Sequence, residues 1–331
     1  MIIRKSHYFD RFACLAGSCP DSCCHQWDVQ IDPDTATYYR SLPGPLGQRL
    51  RSVMQDDPEY GTLLQNENDR CPMWRTDGLC QIQAELGESA LCKVCREYPR
   101  LTHNYGDFIE LGLELSCPEA ARLILTSPPS PPVETHVPGG EPAQYDEDAM
   151  NILLKSRTAA INILENGAYS VPQALQLFLY YSHHVQMLLD GETPHPFQPK
   201  KYLSDPAPAE KADSAPLLDF FKKLEILTLD WKNRLASPAC SGQWAEEYRA
   251  LARYGVERYW LQAVSDYDLV CRAKLIVVSC MLIHVLGGDL LSTAQLYSKE
   301  IENCAENLDA ILDAAYTDPA FTDQYLLQLL A

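Results

Sequence analysis

Residues 14–24 read CLAGSCPDSCC, four cysteines in eleven residues at the spacing C-x4-C-x3-C-C. Between them lie Gly17, Ser18, Pro20, Asp21 and Ser22, residues that favour turns and leave backbone amides free to point inward. Metal-bound sulfur carries excess negative charge and attracts such amides. The chain holds thirteen cysteines, nine of them before residue 120, and a second group follows at Cys71, Cys80, Cys92, Cys95 and Cys117. The two groups are expected to fold onto each other around a metal centre. Adjacent Cys23 and Cys24 do not easily bring both sulfurs to one small site, so the two are expected to differ in their work.

At 331 residues the chain exceeds the usual length of one domain and can bury a large core without cross-links. A hydrophobic fraction of 46% and a charged fraction of 22% describe an ordinary soluble globular protein. The net charge of −18 argues against nucleic acid as a partner, because such binding rests on Lys and Arg neutralising phosphates. It also disfavours an anionic membrane surface. The start, MIIRKSHYFD, lacks the apolar stretch of a secretory signal, and the longest apolar run, Leu275 to Leu286, falls short of a membrane span. A cytoplasmic location is expected. In a reducing compartment, clustered cysteines mean metal or redox chemistry rather than a disulfide framework.

The rest of the chain is read around the cysteines. Val29 and Ile31, with Trp27, alternate with polar residues as in a short strand. Asp32 is a good N-cap and Pro33 suits the first position of a helix over 34–39, and a second helix is expected over about 46–54. Asp77-Gly78 marks a hairpin-type turn that returns Cys80 toward Cys71. Ser89 is expected to cap a helical turn on which Cys92 and Cys95, three apart, share a face. Residues 108–115 look extended and deliver Cys117, and Pro118 opens a helix to about 125. The segment 127–147, SPPSPPVETHVPGGEPAQYDE, reads as a Pro-rich linker, and 191–216 as a second Pro-rich loop.

Beyond the linker, apolar residues recur near every 3.6 positions over 148–164, 172–189, 217–235 and 243–262, with further helices expected over about 292–315 and 319–330. Ser265-x-x-Asp268 resembles a capping box for a helix that Gly287-Gly288 closes. The expected fold is mainly α. A cysteine-rich, metal-binding N-terminal domain over 1–126, with short helices and little strand, is followed by the 127–147 linker and a helical-bundle domain over 148–331.

Four thiolates complete either a tetrahedral zinc site or an iron–sulfur cluster. Only Cys92 and Cys95 form a C-x2-C pair, the other spacings are irregular, and the C-x3-C-x2-C spacing that leaves one iron open is absent. Spacing therefore leaves both metals open. Cys240, Cys271, Cys280 and Cys304 sit in helical apolar patterns and are expected to be buried as small apolar residues. Cys280 and His284 share a helix face and read as core.

Three segments together carry a family resemblance: FACLAGSCPDSCCHQWDVQID, CPMWRTDGLCQIQAELGESALCKVCREYPR and ELSCPEAARLIL. The CC doublet, Trp27, Ile31-Asp32, Gly78-Leu79-Cys80, Cys95-Arg96, Pro99-Arg100 and Ser116-Cys117-Pro118 resemble the flagellin lysine N-methylase family (FliB-type), within the cysteine-rich zinc- or iron-chelating superfamily. The match covers about residues 8–126. It implies methyl transfer from S-adenosylmethionine to lysine side chains of flagellin, with a [4Fe-4S] cluster. By motif position, Cys14, Cys19, Cys23, Cys24, Cys71, Cys80, Cys95 and Cys117 fall on the family's cysteine pattern, and Cys92 ranks ninth. One such cluster takes four protein ligands, so a second metal or supporting thiols are implied.

Attack on a sulfonium methyl requires a neutral amine, whereas a free lysine is protonated at pH 7. Glu114, Tyr98 and Asp28 lie near cysteines in sequence as candidate proton acceptors, with a structural role as the alternative for each. Arg96 and Arg100 could neutralise a cluster or hold a cofactor carboxylate, or serve as ordinary salt-bridge residues. No glycine-rich dinucleotide fingerprint occurs. Two other function classes fit the same residues. One is a non-catalytic, zinc- or cluster-stabilised module that docks a protein partner. The other is a redox or electron-transfer protein.

Overall fold

The computed structural model describes residues 1–25, 28–204, 212–240 and 242–331; Trp27 and part of the second Pro-rich loop lie outside them. The molecule is mainly α, with 55% helix and 12% strand. The strands are β1 (Ile2–Lys5), β2 (Val29–Ile31), β3 (Met54–Asp57), β4 (Gly61–Leu64), β5 (Arg100–Asn104), β6 (Phe108–Leu113) and β7 (Val133–His136). They form two small sheets, β5-β6-β1-β7 and β2-β4-β3. Strand β7 falls inside the segment read as a linker. It pairs antiparallel with β1, while β6 runs parallel to β1 on the other side.

Each sheet belongs to a different core. In β2, Val29 and Ile31 point inward and Gln30 outward, as the alternation predicts. They pack with Tyr39, Leu46, Leu50, Leu64 and Met73, and with Cys71 and Cys92, in a small core around the cysteines. Asp32 caps the Pro33–Ser41 helix through Thr35 N (3.1 Å), and the Tyr39 hydroxyl donates to Ala90 O at 2.7 Å inside that core. The four-stranded sheet contributes Phe108 and Leu113 to the larger core of the helical part, joined by Tyr8 and Leu115 just beyond the strands.

That larger core centres on the Val270–Leu286 helix, which is buried all round, as a helix apolar on every side requires. The Tyr248–Tyr259 helix approaches it so closely that a Cβ on Gly255 would lie 2.7 Å from Ile276 Cγ1. Gly287 ends the central helix with φ +66°, and a Cβ there would lie 2.0 Å from Ala239 O. Among the described residues no helix is long and apolar enough to cross a membrane.

Several helices depart from their predicted bounds. The helix expected over 217–235 is two, Ala215–Phe221 and Leu229–Ala236. Thr228 caps the second, while Glu300 and Asn307 side chains accept from the amides of Leu227 and Glu225 in the gap. The helix expected over 292–315 is likewise divided into Leu290–Tyr297 and Ala305–Thr317 by a wider turn at Ser298–Glu302. Asp268, without Ser265, accepts from the start of the central helix at Cys271 N. The helix expected over 243–262 begins only at Tyr248.

Candidate metal centre

The nine N-terminal cysteines are placed by turns and helix starts. Cys80, Cys92 and Cys117 are each the N-cap residue of a helix: Gln81–Leu86, Lys93–Glu97 and Pro118–Thr126. None of the three sulfurs makes a capping hydrogen bond, but each lies near the first amides of its helix, which draw its pKa down. The first amides of a helix have no partner within it and carry its positive end, so at each position they oppose burial, which still prevails at Cys80 and Cys117. The cap of the turn that carries Cys95 is thus Cys92, where Ser89 was the sequence-based expectation. Asp32 reaches across and accepts from Lys93 N at 2.8 Å, which ties that turn to the small core.

The two cysteine groups meet through backbone. Cys71 N donates to Cys24 O at 2.7 Å. The Asp77-Gly78 turn forms as expected, with Gly78 N on Arg75 O and Gln81 N on Met73 O, and it returns Cys80 to Cys71. This turn lies on Gly17: a Cβ on Gly78 would sit 3.3 Å from Gly17 Cα, and one on Gly17 would sit 3.0 Å from Asp77 O. Gly78 has φ +80°, so glycine serves there twice, for the turn and for the approach.

Cys23, Cys24, Cys71, Cys80, Cys92 and Cys95 line one partly open cavity, whose other walls are apolar side chains and the rings of Tyr39 and Tyr98. The thiols interact pairwise. The Cys23 thiol hydrogen-bonds Cys24, and this contact, against the opposing effect of burial, holds Cys24 down at about 7 while Cys23 is pushed up. Cys92 is lowered and Cys95 raised in the same manner. Burial pushes Cys71 up to about 12 and Cys117 up to about 11. Cys14, Cys19 and Cys117 make a second sulfur group, with the Ala16 amide donating to Cys14 Sγ at 3.4 Å. Cys23 stands between the groups and feels Cys24 on one side and Cys14 and Cys117 on the other.

The donor set of the cavity is all sulfur. Among the described residues no Lys or Arg lines it to balance several thiolates. A soft, positively charged metal group fits such a set, and its binding would displace the thiol protons that burial now retains. Among the described residues, the three ligand-type atoms that come mutually within 4.8 Å are from Glu225, Cys304 and Glu306, not from these cysteines. The cavity thiols ring a space and do not converge on one point.

Of the candidate polar residues, Tyr98 and Glu114 join one chain. The Tyr98 hydroxyl lies 3.1 Å from Ser116 Oγ, Ser116 Oγ lies 3.4 Å from Glu114 Oε2, and Arg258 donates to Glu114 Oε1 at 3.5 Å. Burial raises the Glu114 carboxyl against the pull of Arg258. Asp28 is exposed and accepts from Asn66 N at 2.6 Å. Arg96 and Arg100 donate to backbone carbonyls of Leu91 and Arg96, and Arg100 also covers the Phe12 ring.

The chain is 30% identical over 135 residues to a lysine-N-methylase of Salmonella typhimurium, a match covering 38% of this chain and 33% of that relative. A second match, 29% identical over 135 residues, is to the flagellar biosynthetic protein FliU of Salmonella muenchen, with 38% of this chain and 78% of FliU covered. Over this stretch the chain is similar to lysine-N-methylases, and it spans about a third of the length of the two so named. A lysine-N-methylase of Salmonella choleraesuis is 29% identical over the same length, and the match again spans only 33% of that relative. No family model and no solved structure matches the chain.

The structure places in the cavity one cysteine that lies outside the eight expected from the resemblance. Cys92, ranked ninth by motif, lines the cavity beside Cys95 and is almost fully buried. Its signal in the sequence was the C-x2-C spacing itself. Cys271, Cys280 and Cys304 are buried as expected, but Cys240 is exposed. Cys280 and His284 are both buried in the core as read, and Cys240 Sγ also lies 3.5 Å from His284 Nε2.

Proposed function

We propose that the chain acts in S-adenosylmethionine-dependent N-methylation of lysine side chains of flagellin, and that its cysteine cavity holds a [4Fe-4S] cluster. The reading is carried by the match to lysine-N-methylases in a chain whose six cavity cysteines offer sulfur donors alone. The link to flagellin draws on the name of FliU. A single zinc ion would draw four sulfurs to ~3.7 Å from one another, given Zn–S near 2.3 Å. Among the described residues no three cavity sulfurs lie mutually that close, which is compatible with a polynuclear group. Cys24, Cys71, Cys80 and Cys92 are the ligands we assign first, with Cys23 and Cys95 as their hydrogen-bonded partners. When bound, such a cluster supplies a cross-link between the two cysteine segments and a site for one-electron chemistry. In the transfer itself, the lysine nitrogen forms a bond to the methyl carbon, the carbon–sulfur bond breaks with its electron pair going to sulfur, and one proton leaves the nitrogen.

The test is anaerobic purification with iron, sulfide and zinc quantified and an EPR spectrum taken, followed by transfer of labelled methyl from S-adenosylmethionine to flagellin. Iron and sulfide near four of each per chain with methyl-labelled flagellin is the expected result. A fully loaded chain that does not bind the cofactor would overturn the reading. A second reading is a metal-stabilised docking module, favoured by the place of Cys71 and Cys92 in the small hydrophobic core. It predicts that zinc supports the same fold and that no methyl is transferred.

A further inference from the structure

A pocket of about 320 Å³ lies between the four-stranded sheet and two helices, apart from the cysteine cavity. That volume suits a small ligand or a single side chain. Its floor is one face of the sheet. The strand registers set His103, Glu110, Arg4 and Glu134 directly beside one another on β5, β6, β1 and β7. Its walls are Leu154, Arg157, Thr158 and Ile161 of the Glu147–Leu164 helix, at the spacing of one helix face, with Tyr254, Glu257 and Arg258 of the Tyr248–Tyr259 helix.

The charges in this pocket are not equally committed. Arg157 holds Glu110 in a bidentate pair at 2.7 and 2.8 Å, and Arg4 holds Glu134 at 2.8 Å. Arg258 is shared among the Tyr254 hydroxyl, Glu302 and Glu114. Glu257 differs. Its Oε2 accepts from the Tyr8 hydroxyl at 3.2 Å, but its nearest guanidinium, Arg253, stands 3.9 Å from Oε1 and is already paired with Glu165 at 2.7 Å. About a quarter of the Glu257 side chain (24%) remains open. Burial pushes its carboxyl up, with Arg253 opposing. His103, beside Glu110, has a buried Nε2 without a hydrogen-bond partner, and burial lowers its pKa. A cation entering the pocket would relieve the strain on Glu257. The rest of the lining near it, Leu101, Leu111, Leu154 and Ile161, is aliphatic, and Gly112 leaves the floor bare.

We propose that this pocket receives the aliphatic stem and terminal nitrogen of a lysine side chain, with the Glu257 carboxylate facing the nitrogen. The assignment rests on the lysine-methylation reading and names the substrate seat for it. A four-carbon stem matches the aliphatic lining, and a charge-assisted hydrogen bond from ammonium to carboxylate supplies selectivity. The pocket is joined to the cysteine cavity by a polar chain: Arg258 lines the pocket, Tyr98 lines the cavity, and Glu114 and Ser116 connect them.

The test is calorimetric titration of the full chain with Nα-acetyl-lysine methylamide, with the norleucine counterpart, which keeps the stem and lacks the nitrogen, and with S-adenosylhomocysteine. The lysine compound is expected to bind at least about tenfold more tightly than the norleucine compound, the size of one charge-assisted hydrogen bond. Glu257→Gln should remove most of that difference. Gly112→Leu should block binding without unfolding, because a Cβ at Gly112 meets only Ser6 Oγ at 3.8 Å and Leu101 Cβ at 4.0 Å. Absent or equal binding of the two amides overturns the proposal, as does lysine binding that survives both substitutions. Loss of S-adenosylhomocysteine binding in Gly112→Leu with lysine binding kept also overturns it, and gives the pocket to the cofactor. Selective amine binding in a metal-loaded chain that transfers no methyl would instead defeat the methylase reading and leave the amine seat standing.

Discussion

Lys299 Nζ lies 2.9 Å from the Asp21 carboxylate, across 278 positions of the chain. Asp21 stands between Cys19 and Cys23, so this ion pair fastens the cysteine loop to the helical part. The pair is partly exposed and contributes modestly by itself. Gln295 strengthens the attachment: its Nε2 donates to Asp21 Oδ2 and to Ser116 O, both at 2.7 Å. Replacing Gln295 by Ala leaves a buried carbonyl and a carboxylate without that donor. The expected cost is about 1–3 kcal/mol in urea unfolding, together with faster metal loss to a chelator.

The cavity geometry predicts which cysteines retain metal. Cys92→Ser should lower bound iron per chain as strongly as Cys80→Ser, since both sulfurs sit at helix starts facing the same space. Cys240→Ser, beside His284 and remote from the cavity lining, should leave iron unchanged. Equal iron in the Cys92 and Cys240 variants would contradict this.

Asp32 gives a pH dependence. Burial raises its carboxyl, but the amides of Lys93 and Thr35 outweigh that and hold it below its usual value. A group lowered on folding stabilises above its unfolded pKa and loses that contribution as pH falls through the folded one. Stability should therefore fall on acidification from about pH 5 downward. Asp32→Asn should flatten that part of the profile, and Asp32→Ala should cost about 1 kcal/mol at neutral pH. Denaturant midpoints measured across acid pH decide this.

Gly287→Ala should destabilise the chain by more than about 1 kcal/mol. The residue has a left-handed φ of +66°, and its added Cβ would stand 2.0 Å from Ala239 O. Gly112→Ala, in ordinary backbone and open space, should shift the thermal midpoint far less.

Local rules legible in the sequence were the ones that held without help from distant residues. Asp32 caps the Pro33 helix, the Asp77-Gly78 turn forms, Val29 and Ile31 face inward, and Pro118 opens a helix. Each is signalled by residue types within a few positions of one another. The helices expected over 217–235 and 292–315 carried the right period but not their breaks. The first break is held by Glu300 and Asn307, more than seventy residues from the amides they accept from. The strand at Val133–His136 was hidden in a Pro-rich segment for a similar reason, since its partner is β1 at the other end of the cysteine-rich region.

By itself the sequence determined a mainly helical chain, a cysteine-rich first part suited to metal, and the residues that resemble lysine N-methylases. Thiol type, turn residues and helical period are properties of the local chain and survive in one dimension. Only the tertiary structure decided that six sulfurs share one cavity, that Cys92 is among them, and that Cys23 stands between two sulfur groups. It alone set Glu257 beside the sheet row of His103, Glu110 and Arg4. These relations rest on backbone approaches such as Gly17 on Gly78 and on packing between distant elements, which no spacing in the sequence records.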